Sequence, residues 1–188
     1  MCRISSSVAK PGLVRHTGIE PYIAFGELSN SPSQRGEQLK AAFERAGVRA
    51  EIPADIQAAM WEKFVFIAAV SGLGAVAGAP LGVLRSVPET RNLLVQAMEE
   101  TAAVGRAKGV NLSSDMVPRT LAHIDGMLAG VTASMQRDIA EGCPSELDSQ
   151  NGAVVRMGNQ GGIPTPVHNF LYGILLPKEM KARGALEY

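Results

Sequence analysis

The sequence predicts a mainly α protein, with a helical body over residues 53–188 preceded by a small β-β-α-β unit over residues 1–52. Three observations carry this reading. Apolar residues at helical spacing dominate from Pro53 onward. Runs of β-branched and aromatic residues bounded by Gly and Pro occur only before about residue 50. No segment repeats, and 46 % apolar side chains in 188 residues are enough for a sizeable core.

Taken in order, "GLVRHTG" and "YIAFGEL" read as two strands. "SQRGEQLKAAFERAG" places Leu39, Ala42, Phe43 and Ala46 on one helical face and stops at Gly47. "VRAEIP" supplies a third strand. A unit of this size has little of its own to bury, so it reads as the edge of a larger α/β layer. "PADIQAAMWEKFVFIAAVSG" opens with Pro53 and Asp55 in its first turn and is apolar almost all round, as a helix buried on most faces is. "SVPETRNLLVQAMEETAAVGRAKG" has Ser86 and Glu89 in capping-box spacing, a stripe through Leu94, Ala97, Met98, Thr101 and Val104, and a stop at Gly109. Further helices are predicted over 115–128, 134–140, 146–157 and 166–176. The glycines of "SGLGAVAGAPLG" fall at a helix end, where they suit close packing or a bend.

Eighteen basic and eighteen acidic residues cancel without a block of like charge, which excludes an electrostatic footprint for nucleic acid or an anionic membrane. The longest apolar run, "FVFIAAV", is too short and too closely followed by glycine to span a bilayer, and "MCRISSSVAKPG" has no signal-peptide core, so the cytoplasm is the expected compartment. Cys2 and Cys143 are far apart and outside any metal-ligand spacing; both are read as thiols. No Gly-x-Ser-x-Gly elbow, Walker loop or strand-borne Gly-x-Gly-x-x-Gly occurs, and His16, His123 and His168 have no ligand partner at helical spacing, so no metal is expected.

Lys63 is the most informative position. Its neighbours in "AAMWEKFVFIAAV" offer an ammonium little polar company, so it either snorkels to the surface beside Glu62 or points into a cleft. In a cleft it is suited to donate a proton to a carbonyl oxygen or to form an imine. "SMQRDIAEGCPSELDSQNG" concentrates further polar chemistry. Ser134 reads as a helix N-cap or a ligand-binding hydroxyl, Asp138 lies one turn on, and Glu146 sits at a helix start, where a carboxylate is favoured whatever its use.

Together, "PGLVRHTG", "FGELSNSPSQR", "ADIQAAMWEKF", "SMQRDIAEGCPSELDSQNG" and "GGIPTPVHNFLYGIL" resemble, in order and spacing, the ketopantoate reductases (2-dehydropantoate 2-reductases). The resemblance implies a Rossmann domain that binds NADPH, followed by a helical domain like that of 6-phosphogluconate dehydrogenases, with substrate in the cleft between them. It implies that Lys63 donates the proton to the ketone oxygen, that Glu146 holds the substrate hydroxyl and orients the lysine, and that Ser134 binds substrate. Family members often carry asparagines one and two turns after the lysine, where this chain has Ile67 and Ser71; Ser71 is the substrate-binding candidate there. Residues 1–52 resemble only the end of the Rossmann domain, without its Gly-rich phosphate turn, so its cofactor-binding residues are unknown.

The expected function is therefore part of an NADP-dependent reductase of a small 2-oxo acid, of the pantothenate-pathway type. This chain alone is expected to bind NADPH weakly or not at all, and to act as a homodimer or with a separate cofactor-binding half. The alternatives are a non-catalytic helical module for dimerisation or partner binding, and an imine-forming enzyme using Lys63 without nucleotide.

Overall fold

A computed structural model describes residues 1–16, 18 and 20–188; Thr17 and Ile19, and with Thr17 one position of the first predicted strand, lie outside the described residues. They fall into two units, Met1–Met60 and Trp61–Tyr188.

The first unit contains β1 (Cys2–Arg3), β2 (Ser6–Lys10), β3 (Leu13–His16), β4 (Tyr22–Ala24), α1 (Gln34–Arg45) and β5 (Arg49–Glu51). β4 is central, with β1 antiparallel on one side and β5 parallel on the other. α1 makes the crossover that a parallel pair requires. β2 and β3 form a separate hairpin turning at Pro11 and Gly12, with a bulge between Val8 and Lys10. α1 follows the sequence closely: Ser33 Oγ accepts from Gly36 N at 3.1 Å at its start, and Gly47 at φ +74° closes its end. The sequence signals for β3, β4 and β5 were visible, while β1 and β2 went unpredicted. Every residue of β2 and β3 is exposed, so neither strand has a buried face to impose alternation.

The second unit is built on α2 (Ile56–Ala77), whose first turns belong to the first unit, and on α3 (Leu81–Ser86), α4 (Pro88–Ala107), α5 (Met116–Gly126), α6 (Ser134–Ala140), α7 (Asn151–Gly161) and α8 (Pro166–Ala182). Its main core joins Val65, Ala69 and Leu73 of α2, Leu81 and Leu84 of α3, Leu94, Ala97 and Met98 of α4, Met116 and Ile124 of α5, and Leu171 of α8. A satellite core of Ala75, Met135, Ile139, Leu147 and Leu175 fixes α6 and the segment before α7. The stripe predicted for α4 is buried at all five positions.

Several boundaries differ from the prediction for identifiable reasons. Pro53 and Asp55 precede α2, and Asp55 Oδ1 accepts from Ala58 N at 3.0 Å, as a cap does. α2 runs through Gly72 and Gly74 to Ala77, so these glycines lie inside the helix. At 22 residues it is long and apolar enough to cross a membrane, which overturns the argument from a short apolar run; half of its apolar window is buried against the rest of the chain, as in a core helix. The Ser86–Glu89 capping box does not form. Val87 is the N-cap, Pro88 occupies the first turn, and Ser86 Oγ instead donates to Val83 O within the short, unpredicted α3. Ser134 is not an N-cap either, because Ala133 holds that position. Residues 147–150 form turns and α7 begins at Asn151, so Glu146, at a bend, stands before the helix. α8 continues past Pro177 to Ala182, about 1.7 turns beyond the predicted end.

Candidate functional site

α2 is the spine of the site in the second unit. Lys63, Ile67 and Ser71 follow one another at four-residue spacing along one side of it, Lys63 and Ser71 about 12 Å apart along the axis. Lys63 is half-buried, neither snorkelled fully into solvent nor enclosed. Its neighbour Glu62 is exposed and pairs with Arg119 at 3.0 Å. Ser71 is fully buried.

Two arms dock onto this spine through its glycines. From α6, the Gln136 carboxamide lies where a side chain at Gly74 would stand, 2.6 Å from that Cβ position, and its Nε2 donates to Ala79 O at 3.0 Å. From the start of α7, the Asn151 carboxamide occupies the space a side chain at Gly72 would need, and its Nδ2 donates to Ala68 O at 3.1 Å. The glycines are required by these close approaches rather than by a bend.

The arms carry Ser134 and Glu146. Ser134, in the first turn of α6, has its Oγ 3.4 Å from Glu146 Oε2, and Gln150 Nε2 donates to the same oxygen at 3.0 Å. Ser134 and Glu146 are thus brought together by two different elements, and both are exposed. The structure also puts Lys63 and Ser71 on the helix that both arms grip. The Asp138 backbone carbonyl accepts from Cys143 N at 2.8 Å, closing the turn after α6.

Behind the site lies a buried polar chain that the sequence did not reveal as one. Asn151 Nδ2 also donates to His168 Nδ1 at 3.0 Å, and His168 Nε2 faces Ala97 O and Thr101 Oγ1, each at 2.9 Å. An acceptor role at Nδ1 assigns the proton to Nε2. Burial lowers the His168 pKa to about 4, so the ring is neutral and structural. Glu100 caps α8 by accepting from Val167 N and His168 N, and its own burial pushes its carboxyl above the usual range. Ser71 Oγ, Asn151 Oδ1 and Gln150 Oε1 are buried without a hydrogen-bond partner among the described residues. Asp148, beside the arm, is held below the ordinary carboxylate range by the Arg156 guanidinium.

Sequence reading also missed the clamp on Ser145, the residue before Glu146. Glu179 of α8 accepts from Ser145 N and Oγ, and Arg183 donates to both Glu179 and Ser145 O. The signal was present as an i,i+4 Glu–Arg pair, but it lay beyond Pro177, where the predicted helix had stopped.

The described residues do not form a nucleotide-phosphate cradle. The segment leading from β4 into α1 carries Glu27, paired with Arg35, and no Gly-rich turn, and Glu37 adds an acid to the first turn of α1. An open cavity of about 750 Å³ lies beside this segment, lined by Phe25, Pro32, Gly36, Leu39 and Ile52 among others.

Comparison with known proteins agrees with the arrangement of the helical unit. Residues 55–179 match the family described as "Ketopantoate reductase PanE/ApbA C terminal". The chain is 30 % identical over 158 residues to the 2-dehydropantoate 2-reductase of Halobacterium salinarum, covering 84 % of this chain and 52 % of that protein. It is 32 % identical over 141 residues to that of Pyrobaculum aerophilum, covering 75 % and 50 %. Among solved structures, the PanE/ApbA family ketopantoate reductase of Ralstonia eutropha superposes with a TM-score of 0.84 at 32 % identity, over 97 % of this chain and 59 % of that one. The 2-dehydropantoate 2-reductase of Methylococcus capsulatus does so with a TM-score of 0.87 at 27 % identity, over 96 % and 57 %. The chain spans about half the length of the curated relatives it matches. With a family match over residues 55–179, a span that includes Lys63, Ser134 and Glu146, the chain belongs to the ketopantoate reductase family.

Proposed function

We propose that this chain is the substrate-binding part of an NADP-dependent reductase that converts a small 2-oxo acid, ketopantoate or an analogue, to the 2-hydroxy acid. The observation that carries the reading is the Ser134–Glu146 pair, presented by two arms docked on the helix that bears Lys63. Reduction of a ketone takes a hydride and a proton, and the residues here account for the proton. The Lys63 ammonium donates it to the carbonyl oxygen as negative charge develops there, while Glu146 accepts from the substrate hydroxyl and Ser134 fixes the orientation of that acid. Ser71 is the fourth candidate, supported by a buried hydroxyl without a partner among the described residues. Ile67 and Ser71 replace amide contacts by an apolar and a small polar side chain, which favours a substrate less polar than ketopantoate.

The hydride is taken to come from NADPH, for which the described residues of the first unit form no phosphate cradle; a homodimer is part of the same proposal. The test is NADPH oxidation with ketopantoate and a panel of other 2-oxo acids, using the chain alone and then with a nucleotide-binding half supplied separately. Turnover is expected only in the mixture, with Lys63→Ala lowering it by about 100-fold or more. A folded chain that gives no turnover in the mixture with any 2-oxo acid overturns the proposal, and tight NADPH binding by the chain alone in titration calorimetry overturns the part concerning the missing cradle.

A second reading, a non-catalytic module that binds a protein partner, is favoured by apolar side chains left open in the first unit, among them Val8, Val14 and Leu39, and on α8, where Phe170 and Ile174 share a face. A mixture without turnover in which the chain is a stable oligomer by sedimentation would select it.

A further inference from the structure

We infer that Glu179 is a positioning residue for Glu146, acting through Ser145; the inference rests on the substrate-binding role proposed for Glu146 above. Glu146 is itself exposed, and its carboxylate is met by neutral groups, Ser134 Oγ at 3.4 Å and Gln150 Nε2 at 3.0 Å. Those contacts alone leave an exposed Glu side chain free to choose among rotamers. Its backbone, by contrast, is bracketed by two fixed neighbours. Leu147 is fully buried in the satellite core. Ser145 has each of its polar atoms engaged by α8 and its C-cap: its N–H is shared between Glu179 Oε1 and Oε2 at 3.0 and 3.1 Å, its Oγ donates to Oε2 at 2.5 Å, and its carbonyl accepts from Nη2 of the cap residue Arg183 at 2.8 Å. Ser145 Oγ also accepts from Leu147 N at 3.2 Å, which ties both sides of Glu146 to the same carboxylate.

Glu179 is only 4 % exposed, and burying a carboxylate is costly unless its hydrogen bonds are made. A leucine would pack α8 down as well, but it could not accept bonds from the N–H and the hydroxyl of one residue. The chemistry of the carboxylate is therefore matched to holding the Pro144–Leu147 segment, and the side chain projecting from that segment is Glu146. Arg183, half-exposed, completes the clamp by bonding Glu179 Oε1 at 2.7 Å.

The test uses Glu179→Gln, which keeps the shape but puts a donor where an acceptor is needed, and Ser145→Ala, which removes only the hydroxyl bonds. Amide hydrogen exchange on the chain alone should show Ser145 and Leu147 exchanging about 10- to 100-fold faster in Glu179→Gln, with α4 amides between Leu94 and Ala102 unchanged. Ser145→Ala should move the same amides less. Unaltered exchange over 145–147 in both variants overturns the clamp. If Glu179→Gln also loosens α4, Ser145→Ala decides by the same criterion. In the reconstituted mixture, Glu179→Gln should raise KM for the 2-oxo acid about tenfold more than it lowers kcat, and have no further effect in a Glu146→Gln background. Equal losses in both backgrounds overturn action through Glu146. A wild-type mixture without turnover is a failure of the functional proposal, and hydrogen exchange then still decides the clamp.

Discussion

The two units bury their side chains very differently. In Met1–Met60, only Ala24, Ala50 and Ile56 are buried hydrophobic residues among those described, α1 buries none of its side chains, and Val8, Leu13, Val14, Leu28 and Leu39 stand open. In Trp61–Tyr188, every helix contributes to one of three buried clusters, with Leu94, Ala97, Met98 and Ile124 fully buried in the main core and Met135 and Leu147 in the satellite. Hydrophobic burial is the main term holding a fold together, so backbone hydrogen bonds in the first unit are supported by little beyond themselves. The second unit has the rigidity a preorganised site needs, and the candidate residues all lie within it.

The largest expected effect of this contrast is on core truncation. Leu94→Ala or Leu171→Ala should destabilise the chain by about 2–5 kcal/mol, read as a fall in the urea midpoint at constant slope. A loss below about 1 kcal/mol at both sites would mean that the helical core tolerates cavities and does not dominate stability.

Next comes a pH effect confined to the second unit. His168 has a folded pKa of about 4 against 6.5 when free, so the unfolded chain binds the extra proton between those values. Its contribution to stability is complete above about pH 6.5 and is lost as pH falls toward 4, by up to about 3 kcal/mol. His168→Asn should flatten the stability profile in that window relative to wild type, whatever its effect at neutral pH. Parallel profiles for the two proteins would show that the ring is not held neutral.

Gly72 and Asn151 sharpen the comparison at the site itself. Gly72→Ala puts a methyl group into the Asn151 carboxamide and should cost about 1–3 kcal/mol; Asn151→Ala, which removes the bonds to Ala68 O and His168, should cost a similar amount. Because both act on one contact, the double variant should lose clearly less than the sum in denaturant melts. Full additivity would mean that α7 is not docked through that pair.

The same contrast decides what could be read from sequence. The α4 stripe, α6 and the Gly47 stop of α1 were legible because burial or a local cap dictates each position. Ser134, Glu146 and Lys63 were legible as candidates through their residue types and the family resemblance, and the structure brings the first two into contact. The rest depends on partners distant in sequence. Asn151 meets His168 and Ala68, Gln136 meets Gly74, and Glu179 meets Ser145, contacts that no local period can announce. Ser86 shows the opposite failure: a motif complete in sequence gave way because Pro88 set the start of α4 one residue later. β1 escaped prediction because it is two residues long, and β2 because Ser6–Lys10 is a short run of mostly small and polar residues with no buried face.

The smallest expected effect tests the open unit directly. Leu39 sits in the middle of α1 and is 46 % exposed, beside the cavity lined by Phe25 and Ile52. Leucine and lysine differ little in helix propensity, and a half-exposed side chain that already contacts water loses little when it becomes charged. Leu39→Lys should therefore change the stability of this chain by no more than about 0.5 kcal/mol. The same substitution becomes informative once the nucleotide-binding half is supplied: if that half covers α1, a lysine at position 39 weakens association and turnover in the mixture while leaving the melting of the chain alone untouched. A stability loss above about 1 kcal/mol in the isolated chain would instead mean that α1 is already covered in solution, most simply by a second copy, and the contrast between the two units would then belong to the monomer only.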